Sequence, residues 1–254
     1  MAIDGPGSRL LVETVAEIDS TNSELLRREP LLPAGSRAEA IWLVARRQTA
    51  GRGRRQRAWV SREGDSLTAS FAREVASPAR LGGLSLVAGL AVADVLAAAG
   101  VADLRLKWPN DLHLPHGKAG GILCEARGRG GLTRIVVGCG LNLRQPRGPA
   151  LGQPVAGLFE AGDPPDLAGL SRSIGEALLA ATDRLLSDGF EPFIAAWRER
   201  DLLAERPIVI HHDGGERHAI ARGVDADGAL LVEPLDRPGG RERILSEEVS
   251  VRSL

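Results

Sequence analysis

The stretch KWPNDLHLPHGKAGGILCEA, residues 107–126, sets the architecture of the chain. Pro109 forbids a regular helix there, and LRLKW just upstream reads as a short strand, so Asn110 and Asp111 fall at a strand end or corner. Asn-Asp after Pro makes a turn by itself; Lys107 and Trp108 beside it also suit a stacked, charged nucleotide. NDLHL is a second short strand, closed by a turn at Pro115-His116-Gly117. Lys118 then opens the apolar strand AGGILCEAR. A lysine at a strand edge is ordinarily a solubilising gatekeeper. Here Gly120 and Gly121 leave room for a ligand to lie against the strand with the ammonium at its mouth. Gly128, Gly130 and Gly131 separate it from TRIVVGCGLNL, whose Gly138, Gly140 and Asn142 read as a strand-ending turn. Short strands at this spacing pair as antiparallel hairpins.

Upstream, Thr21 and Glu24 in DSTNSELLRRE fit a capping box, so a helix starts there. AEAIWLVARR and SLTASFARE read as strands flanking an arginine-rich loop. Ser77-Pro78 marks a helix start, and the apolar run after it ends at Gly100. Downstream, residues 144–165 form a Pro- and Gly-rich surface connection, and helical patterns cover 167–186 and 191–200. Past Glu205 the texture changes to the strand-like runs RPIVIHH, ERHAIARGV, GALLVEPL and EVSVRSL. They are broken by Asp213-Gly214-Gly215, Asp227-Gly228 and Pro238-Gly239-Gly240. The expectation is an α+β fold: a mixed or antiparallel sheet packed with helices over residues 1–204, then a small β-barrel over 205–254.

The loop between the two upstream strands, AGRGRRQRAWVS at 50–61, holds Arg52, Arg54, Arg55 and Arg57 within six residues. Most charge runs are solvated faces. Gly51 and Gly53 let this backbone approach a ligand closely, and guanidinium forks match phosphate and carboxylate oxygens, so anion binding is the sharper reading. The chain has neither a P-loop nor a dinucleotide GxGxxG. Overall, 32 Lys+Arg against 33 Asp+Glu give a net charge of −1, which argues against a general nucleic-acid binder. Cys124 and Cys139 lie singly in apolar runs and read as buried small residues in a reducing compartment, not as a zinc site or disulfide scaffold. The start of the chain lacks a basic-then-apolar signal, and Asp94 interrupts the longest apolar run. No membrane span is expected, and the protein reads as cytoplasmic.

In their order and spelling these motifs resemble the biotin–protein ligase family. They stand as Ser20-Thr21-Asn22, GRGRRQRAW at 51–59, KWPND at 107–111, KAGGILCE at 118–125 and VGCGLN at 137–142, followed by the closing β module. The resemblance covers nearly the whole chain. It implies a class II aminoacyl-tRNA synthetase-like catalytic domain and an SH3-like terminal barrel. About twenty residues precede Ser20, too few for the winged helix-turn-helix that some members carry, so the enzyme-only form is implied. The implied reaction joins biotin and ATP as biotinyl-5′-adenylate with release of pyrophosphate. Biotin then passes to a lysine of a biotin carboxyl carrier protein, a subunit of acetyl-CoA carboxylase or a similar acceptor domain. Mg²⁺ accompanies ATP, and a homodimer through the sheet edge is among the arrangements such relatives adopt.

Position by position, the resemblance implies Lys118 and Arg54 as catalytic, with Lys118 bridging carboxylate and α-phosphate as an electrophilic stabiliser. Biotin would meet Ser20, Thr21, Asn22, Gln48, Arg52, Gly53, Arg54, Lys118, Gly120 and Gly121. ATP or the adenylate would meet Arg52, Arg54, Arg57, Trp59, Lys107, Asn110, Asp111, Lys118, Asn142 and Arg252. Gln56 departs from the family's usual glycine; if that position needs φ > 0, Gln is strained there. Lipoate–protein ligase is the nearest alternative, although its RRxxGGGxVxHD-like signature is not found in this chain. A nucleic-acid-binding module using the arginine loop is the alternative from another class.

Overall fold

The computed structural model describes residues 8–76, 81–146, 154–160, 166–212, 215–245 and 250–253. β1 (Leu10–Ile18), β2 (Ala40–Gln48), β3 (Ser66–Val75), β4 (Arg105–Lys107), β5 (Asp111–Leu114), β6 (Gly117–Arg129) and β7 (Leu132–Asn142) form one sheet. Their order is β1-β2-β3-β7-β6-β5-β4. β1 and β2 run parallel and every other neighbour is antiparallel, so the sheet is mixed. The hairpins around residues 107–142 are where the turn residues put them; β1 is a strand the sequence reading passed over.

Alternation along β2 shows why both faces of the sheet are covered. Trp42 faces a large core with α2 (Leu84–Ala98) and α3 (Leu167–Asp188), whereas Ile41 and Leu43 face a smaller cluster under α1 (Thr21–Arg27). α2 is apolar and buried almost all round. α3 buries the stripe Leu170, Ile174, Leu178 and Leu185. Its Gly175 lies so close to Trp42 that a Cβ would stand 2.9 Å from the side chain, and Trp42 Nε1 donates to Ser171 Oγ at 2.9 Å. α2 starts only after Gly83, whose φ is +74°. The expected start at Ser77-Pro78 lies outside the described residues, as do parts of 144–165 and the break at Asp213-Gly214. Ser20, not Thr21, caps α1: its Oγ accepts from Ser23 N, and Glu24 pairs with Arg27 and Arg28 instead of closing a capping box.

The second sheet comprises β8 (Pro207–His212), β9 (Gly215–Val224), β10 (Leu230–Pro234), β11 (Glu242–Ile244) and β12 (Ser250–Ser253). Its order is β11-β10-β9-β8-β12, antiparallel throughout. Its inner face is not separate: Ile208, Ile210, Ala221 and Val251 belong to the same core as Trp42 and Leu106. Trp108 Nε1 donates to Gly228 O at 3.1 Å, and a Cβ on Gly228 would stand 2.7 Å from Gly83 Cα. α4 (Ile194–Arg200) leads into Asp201, which bridges to Leu106. Among the described residues no helix is long and apolar enough to cross a membrane.

Candidate active site

The corner at Trp108-Pro109, joined by a cis peptide, is clipped to β6. Ile122 N donates to Asn110 O, and Asn110 Nδ2 to Ile122 O, both at 2.8 Å. The β5–β6 pairing then slips: Leu112 faces Gly120 but His113 faces Lys118, which leaves Ala119 as an extra residue. Such a bulge re-aims the neighbouring side chain. Lys118 Nζ thereby meets Asp111 Oδ1 at 2.6 Å and lies 6.0 Å from the centre of the Trp59 ring. Its backbone is fixed from the other side by Pro154 O and Ala156 N, and Asn142 Nδ2 donates to its carbonyl at 3.3 Å. Burial opposes the Asp111 charge, but His113 and Lys118 outweigh it and hold the carboxyl below the usual carboxylate range. His113 Nε2 stands 3.9 Å from Asp111 Oδ2.

A second group of residues is neutral. The buried Arg134 Nη1 donates to Leu25 O and Arg28 O, at 3.0 and 2.5 Å, and so pins the end of α1 to the sheet. This holds Ser20, Thr21 and Asn22 at the cavity wall. Thr21 N donates to Gln48 Oε1 at 2.7 Å. Asn22 Nδ2 donates to Leu123 O at 3.1 Å and Glu125 Oε2 at 2.8 Å, while Ser70 Oγ donates to Asn22 Oδ1 at 2.5 Å. Asn22 lies on Gly138, where a Cβ would approach Oδ1 to 2.4 Å.

The arginine stretch is a small hairpin. Gly53 N donates to Arg57 O at 2.7 Å, Trp59 N to Gly51 O at 2.9 Å, and Arg52 bridges to Ala58. Its tip is a 3₁₀ turn, Arg54–Gln56, in which Arg55 has φ +54° and Gln56 φ +57°. Gln56 does occupy the left-handed region that favours glycine, at a cost of order 1–2 kcal/mol. The Trp59 ring lies on Gly140, whose Cβ would come within 2.6 Å of it. Trp59 Nε1 is buried with no partner among the described residues, a donor awaiting an acceptor.

These parts enclose one cavity of about 1270 Å³. It gathers Ser20, Thr21, Asn22, Gln48, Arg52, Gly53, Arg54, Arg57, Trp59, Lys107, Asn110, Asp111, Lys118, Gly121 and Asn142. One expected residue stands apart, and the side chain of another is not described. Gly120 does not face the cavity: the Gly140 carbonyl and Leu141 fill the space its side chain would take, at 2.9 and 2.7 Å. Arg252 lies in β12 opposite Val209, and its side chain is outside the described residues, although its neighbour Val251 lines the cavity. Gly138 and Gly140 are not a turn. They sit inside β7, two apart and so on one face, making the floor under Asn22 and Trp59. Ser70 carries no sequence signal, and Glu125, although it closes the KAGGILCE motif, is given no role there, because both join the site only through the sheet. Cys139 is buried and Cys124 half-buried. Burial pushes both thiols up to about 12, with Glu125 adding to the effect at Cys124, so neither is a nucleophile at neutral pH.

A model of the Biotin/lipoate A/B protein ligase family matches residues 18–142. The chain is 37% identical over 246 residues to the bifunctional ligase/repressor BirA of Salmonella typhimurium, covering 95% of this chain and 74% of that protein. It is 36% identical over 251 residues to the biotin–[acetyl-CoA-carboxylase] ligase of Paracoccus denitrificans, covering 92% and 98%. The solved biotin protein ligase from Aquifex aeolicus in complex with biotin and ATP matches with a TM-score of 0.79 and 26% identity, over 96% of this chain and 99% of that one. With identity of this extent over nearly whole chains and a shared fold, the protein belongs to the biotin/lipoate A/B protein ligase family.

Proposed function

We propose that the protein is a biotin–protein ligase, which activates biotin with ATP and transfers it to a lysine of the biotin carboxyl carrier protein of acetyl-CoA carboxylase. The observation that carries this reading is the placement of Lys118 in a single cavity with a neutral polar subsite, the arginine hairpin and Trp59. The cavity is larger than the usual 300–1,000 Å³ of single-ligand pockets and has room for an acid beside a nucleotide.

The chemistry needs that placement. A carboxylate must approach a triphosphate of like sign, and at ~4 Å such repulsion is about 4 kcal/mol per charge pair near a surface. Lys118, Arg52, Arg54 and Arg57 offset it where charge develops, which is usually the largest catalytic contribution. Ser20, Thr21 and Gln48 supply donors and acceptors for biotin's uncharged ureido ring. Trp59 Nε1 and its ring face serve the adenine side, with Lys107 near the phosphates. The carboxylate oxygen attacks the α-phosphorus and pyrophosphate leaves. The acceptor lysine's neutral amine then attacks the carbonyl carbon, AMP departs with the C–O electron pair, and the amide nitrogen loses a proton. The hairpin shields the mixed anhydride from water between the two steps.

Mg²⁺ enters with ATP as its counter-ion. Among the described residues no three His, Cys, Asp or Glu side chains gather that could hold a metal, and Asp111 is paired with Lys118. The resemblance also supports reading residues 1–204 as a class II synthetase-like domain and 205–254 as an SH3-like barrel. The test is incubation with biotin, ATP and an isolated acceptor domain: the acceptor gains one biotinyl group by mass and AMP accumulates. An acceptor of unchanged mass, or one modified only with lipoate, overturns the reading.

A further inference from the structure

We propose that Glu125 is a positioning residue, whose carboxylate couples the polar subsite at the start of α1 to the arginine hairpin. Glu125 Oε2 accepts from Asn22 Nδ2 at 2.8 Å and from Arg52 Nη2 at 2.9 Å, so one oxygen serves both halves of the cavity. Behind Asn22 the chain of bonds continues. Ser70 Oγ stands 2.5 Å from Asn22 Oδ1 and 2.6 Å from Thr21 Oγ1, and Thr21 N reaches Gln48 Oε1 at 2.7 Å. Proton counting gives the chain a direction. Ser70 has one proton, and Asn22 Oδ1 can only accept it, so the short Ser70–Thr21 contact takes the Thr21 proton in preference to the longer contact from Thr21 Oγ1 to Gln48 Oε1 at 3.1 Å. The amide of Asn22 is oriented by the two acceptors it faces, Leu123 O and Glu125, which use both of its N–H bonds.

Two consequences follow. Asn22 has no free N–H for a ligand, so it acts as a relay, and biotin is met by Ser20, Thr21 and Gln48. Arg52 is also half-exposed, with donors left over for an anion once Nη2 is tied to Glu125. A ligand that moves Thr21 therefore shifts the anchor of Arg52, and an anion that draws on Arg52 shifts the anchor of Asn22. By linkage the effect is reciprocal. Because the Arg52–Glu125 pair is partly solvated, its expected size is at the low end of such couplings, about fivefold.

This rests on the ligase reading, and titration calorimetry separates the two. Biotin affinity is measured with and without a non-hydrolysable ATP analogue, for the wild type and for Glu125→Gln. Wild type should bind biotin about fivefold tighter with the analogue present. Glu125→Gln should bind biotin alone within about threefold of wild type, yet show less than about a twofold effect of the analogue. In turnover it should raise KM for ATP more than it changes kcat. Intact coupling in Glu125→Gln overturns the inference, as does an equal loss of biotin and nucleotide affinity, which is what general loosening would give. If that variant fails to fold, Ser70→Ala cuts the same chain between Thr21 and Asn22: lost coupling supports the inference and unchanged coupling overturns it. A wild type that binds no biotin sinks the ligase reading and this inference together.

Discussion

Ser20, Thr21 and Asn22 are each 3% exposed, whereas no residue of the turn Arg54–Gln56 is buried and Arg57 is exposed. The two walls of one cavity are thus held in opposite ways. The neutral wall is fixed by side-chain bonds among buried groups, where each unmade bond would cost about 1–3 kcal/mol. The cationic wall is held by a few main-chain bonds across a hairpin, by backbone angles and by the Arg52–Glu125 pair, and it is the more exposed of the two. The first suits an uncharged, shape-specific ligand part; the second suits a highly charged one. Lys118 stands between them, fixed at its backbone and ion-paired at its tip.

The largest expected effect is at that pivot. Lys118→Ala should lower adenylate formation about 100- to 1,000-fold, followed as pyrophosphate release, with melting changed by only a few degrees; normal release would refute its assignment. On the neutral wall, Gly138→Ala pushes a methyl into Asn22 and should cost about 1–3 kcal/mol in urea unfolding and weaken biotin at least about tenfold. If biotin affinity survives, that wall is softer than its bonds indicate. Asp111→Asn should cost roughly 1.5–3 kcal/mol at pH 7 by unpairing Lys118. The folded pKa of Asp111 lies below the unfolded value of about 3.9. Its contribution is therefore complete above about pH 4 and fades as pH falls from there through the folded value. Denaturation curves of wild type and variant should converge in that acid range, and a constant gap would show that the carboxylate charge is not what matters. The smallest effect is on the cationic wall: Gln56→Gly relieves a left-handed side chain and should stabilise by about 1 kcal/mol or less, with slower trypsin cleavage between residues 52 and 57.

The cationic wall was the more legible one. Arg52, Arg54, Arg57, Trp59 and Lys118 are contiguous or flanked by turn residues, so local chemistry announced them. The neutral wall is assembled from α1, β2, β3 and β6, and nothing local marks Ser70 or Glu125 as its partners. Parity explains Gly120: it adjoins Gly121 and looks alike in sequence, but neighbouring strand positions face opposite sides, and Gly120 faces Leu141. The cap of α1 was off by one because Asp19, Ser20, Thr21 and Asn22 are all good caps, and the tie of Thr21 to Gln48 decides among them. β1 is absent from the sequence expectations, and its pairing with β2 is the one parallel pairing between named strands in this sheet among the described residues.

The shared interior beneath the two sheets bears on how the molecule comes apart. Removing β8 to β12 would bare Trp108 and the start of α2, so neither piece is expected to survive as an independent body. Heat or denaturant should dissolve both sheets in a single step, and the Trp108-Pro109 corner beside Lys118 draws part of its rigidity from the last fifty residues.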